Sequence, residues 1–294
     1  MKIKNIKNKW ALVIFLMFFI IGILDCIPAF AEHSEKLSCL DIILNPYRVI
    51  SETTYTTPSF PAHPLGTDKV GRDVLYSALK SIRTGLIIGI LTSLMMLPFA
   101  VFFGLCAGYF RGWIDDLIQY VYTTLSSVPA VLLIAAMMLS LQYKIEQNAD
   151  LRLLVLCAVL GVTSWTTLCR LIRAETLKLR EAEFVQAAIV LGVGRLTILW
   201  RHILPNLRHI IIIVMVLDFS GLVLAEAVLT YVGVGVDLST YSFGNMINAS
   251  RLELAREPMV WWPLFGAFSF MFMLVLSANI LSDTIQEQLD PRAR

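Results

Sequence analysis

Hydrophobic and polar positions along this chain fall into long blocks rather than short alternations. Residues 84–108, 117–141 and 258–282 contain no charged side chain, and each block exceeds the roughly 20 residues that a helix needs to cross a bilayer core. Residues 153–169 form a shorter apolar block, still within range. Residues 209–236 are long enough but carry Asp218 and Glu226. Residues 10–24, extendable to Ala31, are the weakest block. The pattern predicts an all-α polytopic membrane protein with about six transmembrane helices, or five if the first segment is removed.

That first segment supports two readings. Lys2, Lys4, Lys7 and Lys9, an apolar run and Ala29-Phe30-Ala31 fit a cleavable signal peptide as well as a retained span. Both put residue 32 outside. The loop cations orient the rest, because cytoplasmic connections are enriched in Lys and Arg. Residues 170–208 hold Arg170, Arg173, Lys178, Arg180, Arg195, Arg201 and Arg208, whereas 142–150 hold only Lys144. The first of these connections is therefore cytoplasmic, as are both termini in the six-span arrangement. Lys69, Arg72, Lys80 and Arg83 run against the rule, since they lie on the predicted outside.

The expected layout is a transmembrane helix within 1–31, an extracytoplasmic segment at 32–83, a transmembrane domain at 84–283 and a cytoplasmic tail at 284–294. Residues 45–65 are rich in Pro, Thr and Ser and read as irregular. Residues 233–258 combine glycines with apolar side chains and read as a loop that dips back into the protein. Such backbone is tolerated at membrane depth only under protein cover.

Composition agrees. Apolar residues make up 57% of the 294 and charged residues 16%, with a mean hydropathy of +0.72; a soluble domain carries about a quarter charged residues. The net charge of +2 gives no reason to expect a nucleic-acid partner. Cys106, Cys157 and Cys169 sit in spans as small apolar fillers. Cys26 and Cys39 can meet outside, but one pair is not a disulfide framework.

The polar stretch 181–206, EAEFVQAAIVLGVGRLTILWRHILPN, interrupts two apolar blocks. Leu177, Phe184, Ala188 and Leu191 recur at helical spacing and are expected on one face. Gly192 and Gly194 break that helix. Leu196, Leu199 and Ile203 mark a second amphipathic piece, and Pro205 starts the next span, where a helix has spare backbone donors. Small side chains at Ala187 and Ala188 would let a partner approach the backbone. The unit reads as a docking surface or as an amphipathic helix at the lipid headgroups.

The stretch QAAIVLGVGRLTILWRHILP resembles the cytoplasmic EAA loop of ABC importer permeases, patterned Glu-Ala-Ala-x3-Gly-x9-Ile-x-Leu-Pro. Ala187, Ala188, Gly192, Leu204 and Pro205 match at the required spacings. RHILPN at 201–206, HPLGTDKVGRDVL at 63–75, EAVLTYVGVGV at 226–236 and LDPR at 289–292 narrow the resemblance to the C-type permease of dipeptide/oligopeptide/nickel-type importers. It implies a type I permease fold whose coupling loop, about 175–206, contacts ATPases through Glu183, Gln186, Ala187, Ala188, Gly192, His202, Ile203, Leu204 and Pro205. The implied assembly holds a second permease subunit, two cytoplasmic ABC ATPases that hydrolyse ATP, and an extracytoplasmic solute-binding protein, in a bacterial cytoplasmic (inner) membrane. This chain itself would bind no cofactor and catalyse nothing. Gln186 replaces the motif's glutamate, with Glu183 upstream, and His202 its isoleucine. Tyr241-Ser242-Phe243-Gly244 replaces a Pro-Pro-x-x-Ser-Trp-Gly run. Implied cargoes are di- and oligopeptides, with nickel or antimicrobial peptides as alternatives.

Two ionisable groups, Asp218 and Glu226, sit inside a predicted span. A carboxylate in hydrocarbon is costly, by roughly 2.5–3.5 kcal/mol on insertion scales, and faces a bundle interior or water. The two differ by about 80° around a helix, so both can point inward, to a translocation path or to a buried polar contact. Small residues four apart, Gly85/Gly89, Gly104/Gly108 and Gly221/Ala225, are expected at close helix seams within the chain or with a second subunit. Gly66 to Asp73 lacks the Lys-Ser/Thr of a phosphate-binding loop. His33, His63, His202 and His209 show no metal-ligand spacing. A membrane-embedded enzyme or sensor, or a transporter driven by an ion gradient, stands as the reading of a different class.

Overall fold

A computed structural model describes residues 2–27, 38–48, 55–145 and 148–289. The Ala29-Phe30-Ala31 motif, His33, residues 49–54 of the irregular segment, and 290–294 with most of the LDPR motif lie outside them. Among the described residues the regular elements are helices, with two isolated β-bridges, Ser59 to His63 and Thr67 to Asp73, ahead of the fourth helix. In order come α1 (Lys2–Cys26), the short α2 (Cys39–Ile43) and α3 (Asn45–Arg48), then α4 (Val74–Phe110), α5 (Trp113–Ser127), α6 (Ala130–Ile145) and α7 (Ala149–Arg180). Next are α8 (Glu183–Val190), α9 (Arg195–Thr197), α10 (Leu204–Tyr231), α11 (Phe243–Ser250) and α12 (Trp262–Leu289).

Among the described residues, four helical stretches are long and apolar enough to cross a membrane: Val74–Phe110, Ala149–Arg180, Arg195–Tyr231 and Trp262–Glu287. The block at 117–141, expected as one continuous span, is instead two helices, α5 and α6, meeting at 88°. Its cause is local. Proline disfavours helical backbone in the residue before it, and Val128 before Pro129 is extended, at φ −88° and ψ 132°. Counted as one, the bent pair makes a fifth span, and Leu12–Cys26 is a shorter apolar helix beside them.

The α4 helix starts ten residues earlier than the apolar block at 84–108. Asp73 is its N-cap, accepting from the backbone N–H of Leu75 at 2.8 Å and Tyr76 at 3.2 Å. The 63–75 motif thus encodes a built entry to a helix: His63 Nδ1 lies 3.0 Å from Asp73 Oδ2, and Asp68 accepts from the N–H groups of Val70 and Arg72. Trp262 at the head of α12 donates to the Thr67 carbonyl at 2.9 Å.

The α4–α7 pair is the most extensive seam, and its closeness comes from glycine. A Cβ on Gly104 would strike Ile172 and the Cys169 carbonyl, and one on Gly108 would strike Thr176 and the Arg173 carbonyl. Gly89 does the same against Phe219 of α10, whereas a Cβ on Gly85 would only touch Leu274 of α12, at 3.4 Å. Gly221 differs: nothing lies within 4 Å of a Cβ built there. The third small-residue pair therefore does not mark a close seam at its glycine.

The first helix belongs to the core. Phe18 is buried with Ile82, Leu86, Phe219, Val223 and Leu274. At its C-terminal end a buried cluster of charges fastens it: Lys80 Nζ on α4 lies 2.6 Å from Asp25 Oδ1 and 2.7 Å from Asp41 Oδ1. Ser38 donates to Asp25, and Tyr76 donates to Asp41, both at 2.7 Å. Burial raises the Asp41 carboxyl, but hydrogen bonds from Lys80, Ser38 and Tyr76 outweigh it and hold its pKa well below the usual carboxylate range.

The segment after α10 folds back under protein cover. Gly233, at φ +90°, turns the chain, with Val234 N–H reaching the Leu229 carbonyl at 2.9 Å. Then Tyr241-Ser242-Phe243-Gly244 docks α11. The Tyr241 carbonyl accepts from Thr84 at 2.6 Å, Ser242 caps α11 through Asn245 N–H, and Phe243 is 1% exposed. A Cβ at Gly244 would collide with Thr230 and the Ala227 backbone.

Candidate functional site

The stretch 181–206 forms a sharp elbow between α7 and α10. Arg111 pairs with Glu181 at 2.8 Å, tying the α4–α5 turn to the corner where α8 begins. Arg173 grips Asp115 with two bonds, Nη2 to Oδ2 at 2.7 Å and Nε to Oδ1 at 2.5 Å, so α5 and α7 move together. The α8 helix ends in a left-handed cap: Gly192 has φ +75°, Val193 N–H bonds the Ala188 carbonyl, and Gly192 N–H bonds the Ile189 carbonyl, each at 3.0 Å. Glycine tolerates that geometry freely. Gly194 sits at φ −59°, so of the two glycines only Gly192 needs to be one.

The faces of the elbow differ from the periodicity reading. Val185 and Ala188 are the buried positions of α8 and join a cluster with Leu105, Ile172, Ile198, Leu199 and Ile203. Phe184 and Leu191, expected on the same face as Ala188, point outward, and so does Leu196, expected with Leu199 and Ile203. Val190 is 86% exposed, Leu191 81% and Leu196 66%. The reason is that an eight-residue helix anchored by two small contacts can turn its bulkier side chains away. Ala187 is exposed and Ala188 buried, so only Ala187 can admit an approaching partner. Glu183 is exposed in the first turn of α8. Gln186 donates its amide to the Arg180 carbonyl at 2.8 Å, closing the end of α7; a carboxylate could not donate that bond.

Beyond Gly194 the chain is one rod from Arg195 to Tyr231. Pro205 sits in the first turn of α10, as its position suggested, but no break precedes it. Residues Ile198–Ile203 widen into a π-type turn, with Leu204 N–H reaching back five residues to the Leu199 carbonyl. The widening accommodates Pro205, whose ring crowds the carbonyl four residues earlier. Asn206 covers the His202 carbonyl at 2.6 Å. Ile203 is fully buried, Leu204 half-buried and Pro205 exposed.

A second feature lies at the α5–α6 bend. A cavity of ≈ 490 Å³ opens between the bend, α7 and α10, lined among others by Ser126, Thr163, Thr167, Arg170, Asp218 and Gly221. Asp218 forms no hydrogen bond or ion pair among the described residues. Glu226 is elsewhere: it is 1% exposed and accepts from Thr230 Oγ1 at 2.8 Å, while Thr230 in turn accepts from Val236 N–H. The two carboxylates, eight residues apart on α10, therefore do not share a space. Glu226 pins the returning loop, and Asp218 faces the cavity.

Sequence reasoning did not find the Arg173–Asp115 grip, the Lys80 cluster or the role of Gly221. Asp115 and Lys80 were visible as charges, but their partners stand 58 and up to 55 residues away. No local spacing reports such pairs.

A helical membrane protein with several apolar spans, a solvent-facing elbow and a polar cavity among its spans belongs to the class of polytopic transport components. The comparisons make this specific. Residues 100–294 match the family described as "Binding-protein-dependent transport system inner membrane component", and the chain belongs to that family. It is similar to the oligopeptide transport system permease protein OppC of Mycobacterium tuberculosis, 31% identical over 81% of this chain and 78% of the relative. The dipeptide transport system permease protein DppC of Bacillus subtilis is 28% identical over 98% of this chain and 83% of its own. The glutathione transport system permease protein GsiD of Pectobacterium atrosepticum is 29% identical over 79% and 74%. The family and these relatives are transport permeases, so the chain is a multi-pass inner-membrane transport component that works with a binding protein.

Proposed function

We propose that this chain is the permease subunit of an ATP-driven importer of di- or oligopeptides, with α8 as the element that partner ATPases push. The observation that carries the reading is the elbow: Val190, Leu191 and Leu196 are exposed apolar side chains beside exposed Ala187, at the end of a long span, within the matched residues of a transport family. Contiguous exposed apolar surface on a soluble face is the mark of a partner site. The peptide cargo rests on the names of the relatives, which concern peptides and glutathione. ATP would be hydrolysed by the partners. The working assembly is this chain, a second permease, two ATPases and a solute-binding protein outside.

In this reading α1 is a retained span, since its Phe18 and Asp25 are built into the core, and both termini are cytoplasmic. Ion pairing of two of the four outer cations also lessens the conflict with the charge rule. Lys80 and Arg83 are paired with acidic groups, so these two do not count as free loop cations, while Lys69 and Arg72 still do. Cysteine cross-linking tests the reading. Val190→Cys or Ala187→Cys in the intact membrane complex should capture an ATPase subunit, in a nucleotide-dependent way. Capture of lipid alone, with no nucleotide-hydrolysing protein in the product, would defeat it.

A further inference from the structure

The cavity at the α5–α6 bend has features that the packing of one chain does not explain. Membrane helices accommodate a carboxylate by pairing it or hydrating it, yet Asp218 has neither a hydrogen bond nor an ion pair among the described residues. One turn along the same helix, Gly221 faces open space, so the wall of the cavity beside the carboxylate has been left without a side chain. Opposite, on α7, Thr163, Thr167 and Arg170 follow at i, i+4 and i+7, a hydroxyl stripe that ends in a cation on one helix face. That cation is already engaged: the Arg170 guanidinium donates to Ser126 and lies over the Tyr122 ring at 5.2 Å. Arg170 keeps its charge there but forms no ion pair with Asp218 among the described residues, so the carboxylate beside Gly221 stands without a counter-ion. Lipid chains are poor occupants, since hydroxyls and a carboxylate would lose hydrogen bonds against hydrocarbon. A metal ion is a poor one too, because no group of three or more His, Cys, Asp or Glu side chains able to hold a metal occurs among the described residues.

We propose that the cavity is a transit subsite for a primary ammonium group, with Asp218 as the counter-charge, the hydroxyls of Thr163 and Thr167 as replacement solvent, and Gly221 as the clearance. The proposal rests on the permease reading above and adds to it the charge of the cargo group admitted: the free amino terminus of a peptide. An ammonium carries three donors and no acceptor, which suits one carboxylate flanked by hydroxyl oxygens.

The test uses the complete complex with its binding protein, in proteoliposomes, carrying Gly221→Cys. Modification of the introduced thiol is located by mass spectrometry and compared for two thiol reagents of equal size, ethylammonium and ethylsulfonate methanethiosulfonates, each normalised to its rate with a simple thiol. The ammonium reagent should be favoured by about tenfold or more, as expected for one charge acting in a partly buried site, and Asp218→Asn should abolish the preference. In the parent background, Asp218→Asn should cut ATP-driven peptide uptake by a similar factor, Asp218→Glu should retain most of it, and binding-protein stimulation of ATP hydrolysis should persist in both. Equal rates for the two reagents would overturn the proposal, and so would parental uptake by Asp218→Asn. Loss of the second permease from the Asp218→Asn complex would overturn it as well, by making Asp218 an intersubunit contact. A parent complex that ignores ATP would instead defeat the permease reading, while the charge preference at the introduced thiol would still be measured.

Discussion

Replacing Lys80 with methionine removes the one cation among the described residues that touches both buried carboxylates at the C-terminal end of α1. Its side chain is 11% exposed, that of Asp25 1% and that of Asp41 8%. Asp41 keeps Tyr76 and the Ser38 backbone N–H as donors, so it stays solvated by the protein. Among the described residues Asp25 keeps only a shared Ser38 hydroxyl and Arg83 at 3.6 Å, and the loss falls on it. Removing one partner of a buried pair typically destabilises by about 3–5 kcal/mol. At roughly 2–4 °C per kcal/mol for a chain of this size, the melting temperature of the purified protein in detergent should fall by about 10 °C. The second change identifies the cause. Adding Asp25→Asn to Lys80→Met should recover about half the loss or more, because the stranded charge is gone, while adding Asp41→Asn should recover nothing, because Asp41 was never stranded. A Lys80→Met shift under about 2 °C, the range of an exposed pair, would refute the argument that α1 is fastened here. Further loss from Asp25→Asn would refute it equally.

Three other outcomes follow from particular residues. Gly192→Ala should weaken the elbow by roughly 1–2 kcal/mol, the strain of a left-handed alanine, and lower ATP-driven uptake, whereas Gly194→Ala should leave both unchanged; equal effects at the two glycines would remove the role given to the cap. Gly104→Leu should prevent folding or cost several kcal/mol through overpacking against Ile172, while Gly221→Leu should fold normally and block transport, read by thermal melting and uptake on the same preparations. The Asp41 carboxyl is depressed when folded, so its contribution is complete above the unfolded value near 4 and is lost only as pH falls through the lower folded value. The difference in melting temperature between parent and Asp41→Asn should therefore be constant from about pH 8 to about pH 5, and a difference that shrinks within that window would contradict the assignment.

The apolar blocks were legible because spanning length and freedom from charge are one-dimensional properties, and the blocks at 84–108, 153–169, 209–236 and 258–282 each lie largely within a long helix. The elbow at 181–206 was legible for the same reason, as a polar gap of fixed length with glycine and proline punctuation. What periodicity missed was which face packs. Phe184 and Leu191 are larger and more apolar than Ala188, so a hydrophobicity pattern puts them inside, yet close approach to the π-type turn at 198–203 selects the small Ala188 and leaves the large residues free. The break at Pro129 was written in the sequence but lay inside an unbroken apolar run, where hydropathy carries no information about direction. Gly221 looked like Gly85 and Gly104 in sequence; only the position of neighbouring helices distinguishes a glycine that meets a side chain from one that meets a void.

The connection between the two features lies in stiffness. Val185 and Ala188 seat α8 against Leu105, Ile172 and Ile203, so a push on the exposed side of α8 reaches α4, α7 and the root of α10 together. From Arg195 to Tyr231 the chain is one helical rod, and about 23 residues of it, roughly 35 Å at 1.5 Å per residue, separate its base from Asp218. On the other side, the two-bond grip of Arg173 on Asp115 carries the motion of α7 into α5, whose far end is the Pro129 bend. Both routes therefore end on opposite walls of the same cavity. Packed interfaces switch between discrete arrangements rather than stretch. A displacement at the elbow thus has its softest outlet at the bend, where the α5–α6 backbone is already extended, and the cavity beside Asp218 is the volume that such a movement would enlarge or close.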